Sequence, residues 1–276
     1  MLKLRLLSFG ISICLLLSAP DRVGAQVPDS VFLEDLTTVE VRTLVASGRT
    51  TIILPTGGTE QNGPHMVLGK HNQIVKYAAE QIAVKLGNAL VAPVLAYVPE
   101  GDVEPPTGHM RFPGTISLPE EFFVKVIEFA ARSFKASGFK DIVFIGDSGP
   151  NQKGLQTVAT QLNREWRNSS TRVHFISDYY DDSAYVAWLK KQGESSNAIG
   201  NHAGIADTSQ LMAINPKGVR VEKLKGNAKG NTLNADVDGV NGDPTRARVE
   251  YGKKGVALKI EQAVAQIRLK LAERKN

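Results

Sequence analysis

The spacing of apolar positions changes period repeatedly along the chain, which is the primary signal of its elements. Short β-rich apolar runs occupy TIILP at 51–55, ALVAPVLAYV at 89–98, DIVFIG at 141–146 and TRVHFIS at 171–177. Each predicts a buried strand. Between them the period lengthens. HNQIVKYAAEQIAVKLG, 71–87, places Ile74, Tyr77, Ala78, Ile82 and Leu86 at helical spacing, with Gly87 as its stop. SLPEEFFVKVIEFAARSFKASG, 117–138, reads as a strong helix with Ser117 as a cap, Pro119 and two glutamates in the first turn, and Gly138 at the end. Gln152–Trp166 carries Leu155, Val158, Ala159, Leu162 and Trp166 on one side, and a long final helix follows Pro244. Strands that alternate with helices form βαβ units. The pattern therefore predicts an α/β fold, a three-layer α/β/α sandwich with a mostly parallel central sheet.

In such sheets, sites form beyond the carboxyl ends of strands. Four loops qualify: 56–72, 99–116, 146–153 and 200–209. The Gly/Asn/Asp-rich stretch 225–244 has little apolar pattern and reads as one long loop, a lid or an oligomer contact. There is no internal repeat and no domain linker.

The amino terminus follows another logic. MLKLR is basic, LLSFGISICLLLSAP is apolar, and Val23-Gly24-Ala25 is a small-residue cleavage pattern. Residues 1–25 are expected to be a cleaved signal peptide, leaving 26–276 as a single domain in a secreted or periplasmic protein. The apolar run is shorter than the ~20 residues of a membrane span. Cys14 is the only cysteine and lies in that segment. The mature chain can thus form no disulfide and no thiolate metal site, so any metal must be held by His, Asp, Glu or Asn. A charge of +5, spread along 276 residues, gives no reason to expect nucleic-acid binding.

Gly146-Asp147-Ser148-Gly149 matches the surroundings of a serine nucleophile. A triad also needs a base and an orienting group, which His202 and Asp207 could supply. However, no Asp-x-x-His follows, and helices between the strands exclude a pair of β-barrels. The loop LPTGGTEQNGPHMVLGKHN, 54–72, is richer: it gathers Glu60, Asn62, His65 and His71 just after a strand. Carboxylate and imidazole donors on one loop suit a divalent metal, and equally suit the satisfaction of loop backbone groups.

The motifs together resemble the creatininase (creatinine amidohydrolase) family. Leu54-Pro55-Thr56-Gly57-Gly58-Thr59-Glu60-Gln61-Asn62-Gly63-Pro64-His65 is similar to its opening phrase, and Phe112 to Leu118 reads as its Phe-Pro-Gly-Thr-Ile-Ser-Leu. Gly146 to Asn151, His202 to Ser209, and Gly242-Asp243-Pro244 fall on its later motifs, so the likeness spans roughly 35 to 265. The resemblance implies a creatininase-like fold, a hydrolase of C–N bonds (amide, cyclic amide or formamide) in small molecules, and a homo-oligomer. It also implies two divalent metals on a Glu, a His, a bridging Asp, a second His and a further acidic group. By position Glu60 is kept. Asn62 stands for the first His, His71 for the bridging Asp, Ser148 for the second His beside Asp147, and Asp207 for the Glu. A neutral imidazole cannot bridge two cations as a carboxylate does. The expectation is one ion, Zn or Mn, on Glu60, His71 and Asp147, or none. His202 and Asp207 are the expected catalytic pair, and Asn62, His65, His109, Arg111, Ser148 and Asn151 the expected pocket or substrate contacts. A non-catalytic small-ligand-binding protein and a serine hydrolase using Ser148 remain as alternatives.

Overall fold

A computed structural model describes residues 29–224, 233 and 236–273. The expected signal peptide and most of the 225–235 stretch lie outside the described residues.

Four parallel strands form the sheet: β1 (Thr51–Thr56), β2 (Ala89–Val91), β3 (Asp141–Gly146) and β4 (Arg172–Phe175), in the order β2-β1-β3-β4. The helices are α1 (Thr38–Ala46), α2 (Lys70–Leu86), α3 (Glu120–Ala136), α4 (Asn151–Glu165), α5 (Ser183–Lys191), α6 (Ser196–Ile199), α7 (Ile205–Ile214) and α8 (Val249–Glu273). Successive strand residues point to opposite faces. Ile52, Leu54, Ile142 and Phe144 pack with Leu44 of α1, Phe123 and Ile127 of α3, and Leu155 and Leu162 of α4. Ile53, Val143 and Ile145 pack on the other side with Val75, Ala79 and Ile82 of α2 and Val256, Ile260 and Val264 of α8. Helices on both faces of a parallel sheet bury every position of β1, β2 and β3, and the middle of the edge strand β4, so the strands read as largely apolar runs. The three-layer sandwich is the observed architecture.

Several details differ from the sequence pattern, among them the expected loop 200–209, whose second half opens α7. The strand expected at 89–98 ends at Val91, because Pro93 has no N–H for the ladder. Ser117 does not cap α3. Its hydroxyl donates to the Gly101 carbonyl and accepts the Glu100 N–H, and Pro119 stands at the N-cap instead.

The register sets the site. Thr56 pairs with Gly146, so β1 and β3 end side by side and their following loops leave together. A small apolar cluster of Met66, Ala203, Leu211, Val219 and Val240 fastens the first loop to the region before α7. α7 and α8 pack closely. A Cβ on Gly252 would collide with the Ser209 carbonyl, so a residue that costs an exposed helix about 1 kcal/mol is here the one that fits.

Candidate active site

Beyond the ends of β1 and β3 lies a cavity of about 590 Å3, lined by Glu60, Lys70, His71, His109, Asp147, Ser148, His202 and Asp207 among others. That volume suits a small molecule. An open depression of about 840 Å3 runs along α4, lined by Lys153, Thr157, Arg164 and Glu165, and has no comparable convergence of acid, base and imidazole groups.

His71, in the first turn of α2, is buried with both ring nitrogens on carboxylates. Nδ1 is 2.7 Å from Asp147 Oδ2 and Nε2 is 2.9 Å from Glu60 Oε1. A carboxylate only accepts, so each nitrogen donates and the ring is an imidazolium. Burial and the Lys70 charge push its pKa down, but the Glu60 charge and the two hydrogen bonds outweigh them and raise it to about 9. Asp147 is fully committed: Oδ1 also accepts from Tyr179 Oη at 2.8 Å and Lys259 Nζ at 2.9 Å. Burial pushes its carboxyl up, yet Lys259 and His71 hold it far below the usual range.

Lys70, the neighbour of His71, has a side chain only 1% exposed, with Nζ 3.1 Å from Asp207 Oδ2 and 3.8 Å from Glu60 Oε1. Burial lowers its pKa, and the carboxylates of Asp207, Glu60 and Asp147 more than restore it. Asp207, in the first turn of α7, accepts the Ala203 N–H at 2.8 Å. Burial raises its pKa, but Lys70, His202 and His71 bring it to about 2. Ala203 has φ 55°, the left-handed region that a residue with a Cβ seldom adopts, and it turns the chain between His202 and Asp207.

Gln61 joins three loops. Its Oε1 accepts the Gly63 N–H at 3.0 Å and its Nε2 donates to the Gly239 carbonyl at 3.1 Å, which fixes the amide's orientation. Gly239 has φ 69°, and a Cβ there would strike the Gln61 amide. One amide hydrogen remains for two ring nitrogens, His109 Nδ1 and His202 Nε2, each 3.0 Å away. His202 Nε2 is also 3.0 Å from the Gln61 carbonyl, to which it donates. The amide hydrogen then goes to His109 Nδ1. His109 Nε2 consequently points its proton at Glu60 Oε2, 3.2 Å away, and His202 Nδ1 faces Glu60 Oε1 at 3.7 Å with a lone pair. Burial lowers the pKa of both rings, that of His202 to about 4, so both are neutral at pH 7.

Ligand atoms of Glu60, His109 and His202 all lie within 4.8 Å of one another. One carboxylate and two neutral imidazoles form a donor set that divalent transition metals accept. The residue types suit one ion, but ligation through His109 Nε2 requires that nitrogen to give up its proton to Nδ1, and the Gln61 N–H must then turn away from Nδ1.

The expected site residues divide by position. Glu60, His71, Asp147, His202, Asp207, His109 and Ser148 line one cavity. In this arrangement His71 is spent on Asp147 and Glu60, and Asp147 on His71, Tyr179 and Lys259, while His109, expected as a substrate contact, stands with the candidate ligands. Asp207 meets Ala203 and Lys70, with no hydrogen bond to His202. Asn62 donates to the Glu60 carbonyl at 2.9 Å, and His65 Nε2 lies 3.0 Å from Thr208 Oγ1. Asn151 donates to the Gly57 carbonyl at 2.8 Å. These three brace the loops. Arg111 is exposed outside the cavity and stacks on Phe112.

Gln61, Tyr179 and Lys259 had no reading as site residues, and neither had two further participants, Lys70 and Glu100. Lys70 carried a signal: a helix whose first turn holds two cations and no acid is placed against its own dipole. Glu100, 1% exposed, sits where burial and the Glu60 charge raise its pKa to about 9, so it is a neutral carboxylic acid at pH 7. Nothing in its local sequence distinguishes it.

An α/β sandwich with an imidazole–carboxylate cavity at its strand ends is the class of protein that the fold and site define. The family model described as "Creatininase: Creatinine amidohydrolase" matches residues 34–267, and the chain belongs to that family. It is 27% identical over 237 residues to the mycofactocin precursor peptide peptidase of Mycobacterium ulcerans, covering 78% of this chain and 84% of that one. It is 27% identical over 200 residues to the creatinine amidohydrolase of Pseudomonas putida, covering 71% and 76%. A crystal structure of creatinine amidohydrolase superposes with a TM-score of 0.72 at 24% identity, over 88% of this chain and 98% of that one. Related creatininase structures are described as a manganese form and as a Zn–Zn type.

Proposed function

We propose that this protein is an exported hydrolase that cleaves an amide, cyclic amide or formamide C–N bond in a small molecule, using one divalent ion held by Glu60, His109 and His202. The observation that carries the reading is the convergence of that carboxylate and two neutral imidazoles on one cavity. Relatives named for amide and peptide hydrolysis support the reaction class. Zn and Mn forms among the structural neighbours support the kind of ion. Such an ion, when bound, lowers the pKa of a water and polarises a carbonyl oxygen.

The chain's own groups supply the rest. Gln61 holds both imidazoles in place through its amide and carbonyl. Asp207, a quarter of whose side chain is exposed, offers an accepting oxygen at the cavity wall that orients water. Glu100 carries a proton beside Glu60. His71, braced by Asp147, fixes Glu60 Oε1 and leaves Oε2 to face His109. Export and assembly into an oligomer belong to the same proposal and rest on the sequence pattern of residues 1–25 and on the family likeness.

A second reading, a metal-free binding pocket, is favoured by one observation: Glu60, Asp147 and Asp207 are already matched by Lys70, His71 and Lys259. Elemental analysis of the purified protein, with an amide-hydrolysis panel on wild type and Glu60→Ala, separates the two. About one equivalent of Zn or Mn and activity lost in the variant support the hydrolase. No metal and no turnover under metal supplementation would sink it.

A further inference from the structure

We propose that Lys70 is a built-in cation: its ammonium fills the space between Glu60 and Asp207 that a second divalent ion would otherwise take, so the pocket admits one ion and no more. The proposal rests on the hydrolase reading only for the first ion.

The placement of Lys70 has no explanation in helix stability. It opens a 17-residue helix, beside His71, with no acidic residue in the first turn. The amino end of a helix favours anions, so two adjacent cations there are costly unless something else holds them. Lysine also usually extends its charged end to water. Here the whole side chain is buried, and the ammonium has two carboxylates as near neighbours, Asp207 at 3.1 Å and Glu60 at 3.8 Å. Its nearest partner is the Asp207 carboxylate, with Glu60 farther off, so it is held chiefly by charge. An ammonium in this position would be expelled or neutralised if the carboxylates were absent.

His71 completes the pattern. It is inserted between Glu60 and Asp147 as Lys70 is between Glu60 and Asp207, and Glu60 is common to both bridges. Two carboxylate pairs that share Glu60 are two places where a free cation would be attracted. In this chain each pair instead brackets a cation tethered to α2. Glu60 Oε1 faces the tethered cations, and Oε2 faces His109 and the remaining open position.

The test is a zinc titration of metal-stripped protein by calorimetry, with elemental analysis after dialysis. It compares wild type, Lys70→Ala and the charge-preserving Lys70→Arg. The expected result is one equivalent in wild type and Lys70→Arg, and a second equivalent in Lys70→Ala bound at least about tenfold more tightly than any second site in wild type. Zero equivalents in wild type with one gained in Lys70→Ala would support the tethered cation while removing the metal from the proposed function. Two tight equivalents in wild type, or no gain in a Lys70→Ala protein of native circular dichroism, would overturn the proposal. Lys70→Met, which keeps the buried stem without the charge, takes the place of Lys70→Ala if that variant fails to fold, with the same expected second equivalent.

Discussion

His71 Nε2 lies 2.9 Å from Glu60 Oε1, and the opposite ring nitrogen is held just as closely by Asp147. A ring that donates at both ends keeps both protons until the pH exceeds its raised pKa of about 9. The sign follows from linkage. The folded pKa is above the unfolded value of about 6.5, so the contribution is complete below pH 6.5 and disappears as pH rises through 9. The metal-free protein should therefore lose on the order of 3 kcal/mol of stability from this residue between those limits. Nitrogen NMR of the imidazole should show both sites protonated at pH 8. A ring that titrates near pH 6.5 would remove the double bridge.

Glu100 reinforces that alkaline loss. Its carboxyl is raised to about 9 by burial first and the Glu60 charge second. The folded state therefore holds a proton that the unfolded chain has already released above pH ~4.5, and stability falls as pH rises through that range. Glu100→Gln keeps the shape and a hydrogen-bond donor without that proton uptake. The variant should be more stable than wild type at pH 7 by up to about 3 kcal/mol and indistinguishable near pH 4. Thermal melts across pH check it, and equal gains at both pH values would refute the neutral carboxyl.

How much of this was legible in the sequence depended on the range of the interactions involved. The strands and α2, α3, α4 and α8 announce themselves because burial on two faces writes a local period. α7 did not, because Asp207, Thr208 and Ser209 in its first turns made GNHAGIADTS look like a loop. Glu60, His71, Asp147, His202 and Asp207 were readable as one group because they fall, in order, on the motifs that resemble the creatininase family. Which of them face a common ion was not readable. That depends on Gln61 tying His109 and His202 together from loops 48 and 141 residues away. The pairing of His71 with Asp147, 76 residues apart, is equally non-local.

Removing candidate ligands should differ from removing braces. His109→Ala and His202→Ala each delete a donor and are expected to weaken zinc binding by about 100-fold or more. Asp147→Asn removes the charge that holds His71, Tyr179 and Lys259 and reaches the ion only through His71 and Glu60, so it should cost about tenfold, as for residues that support a ligand without touching the ion. Competition with a chelating dye measures all three. If Asp147→Asn weakens zinc more than either histidine variant does, the ion sits with His71 and Asp147 instead.

Ser148 gives the sharpest discrimination between hydrolytic chemistries. It lies two residues beyond β3 and lines the cavity, where a nucleophile would stand. A serine attacks only when a neighbouring base takes its proton. Among the described residues no histidine hydrogen-bonds its hydroxyl: His71 is engaged by Glu60 and Asp147, and His202 by Gln61. Asp207, the candidate third member, is bound to Ala203 and Lys70. Ser148→Ala should thus keep kcat/KM within about threefold of wild type on any substrate that is turned over. A fall of about 10,000-fold, with a stoichiometric burst of product in wild type that vanishes in the variant, would establish the serine as nucleophile and displace the ion from the reaction.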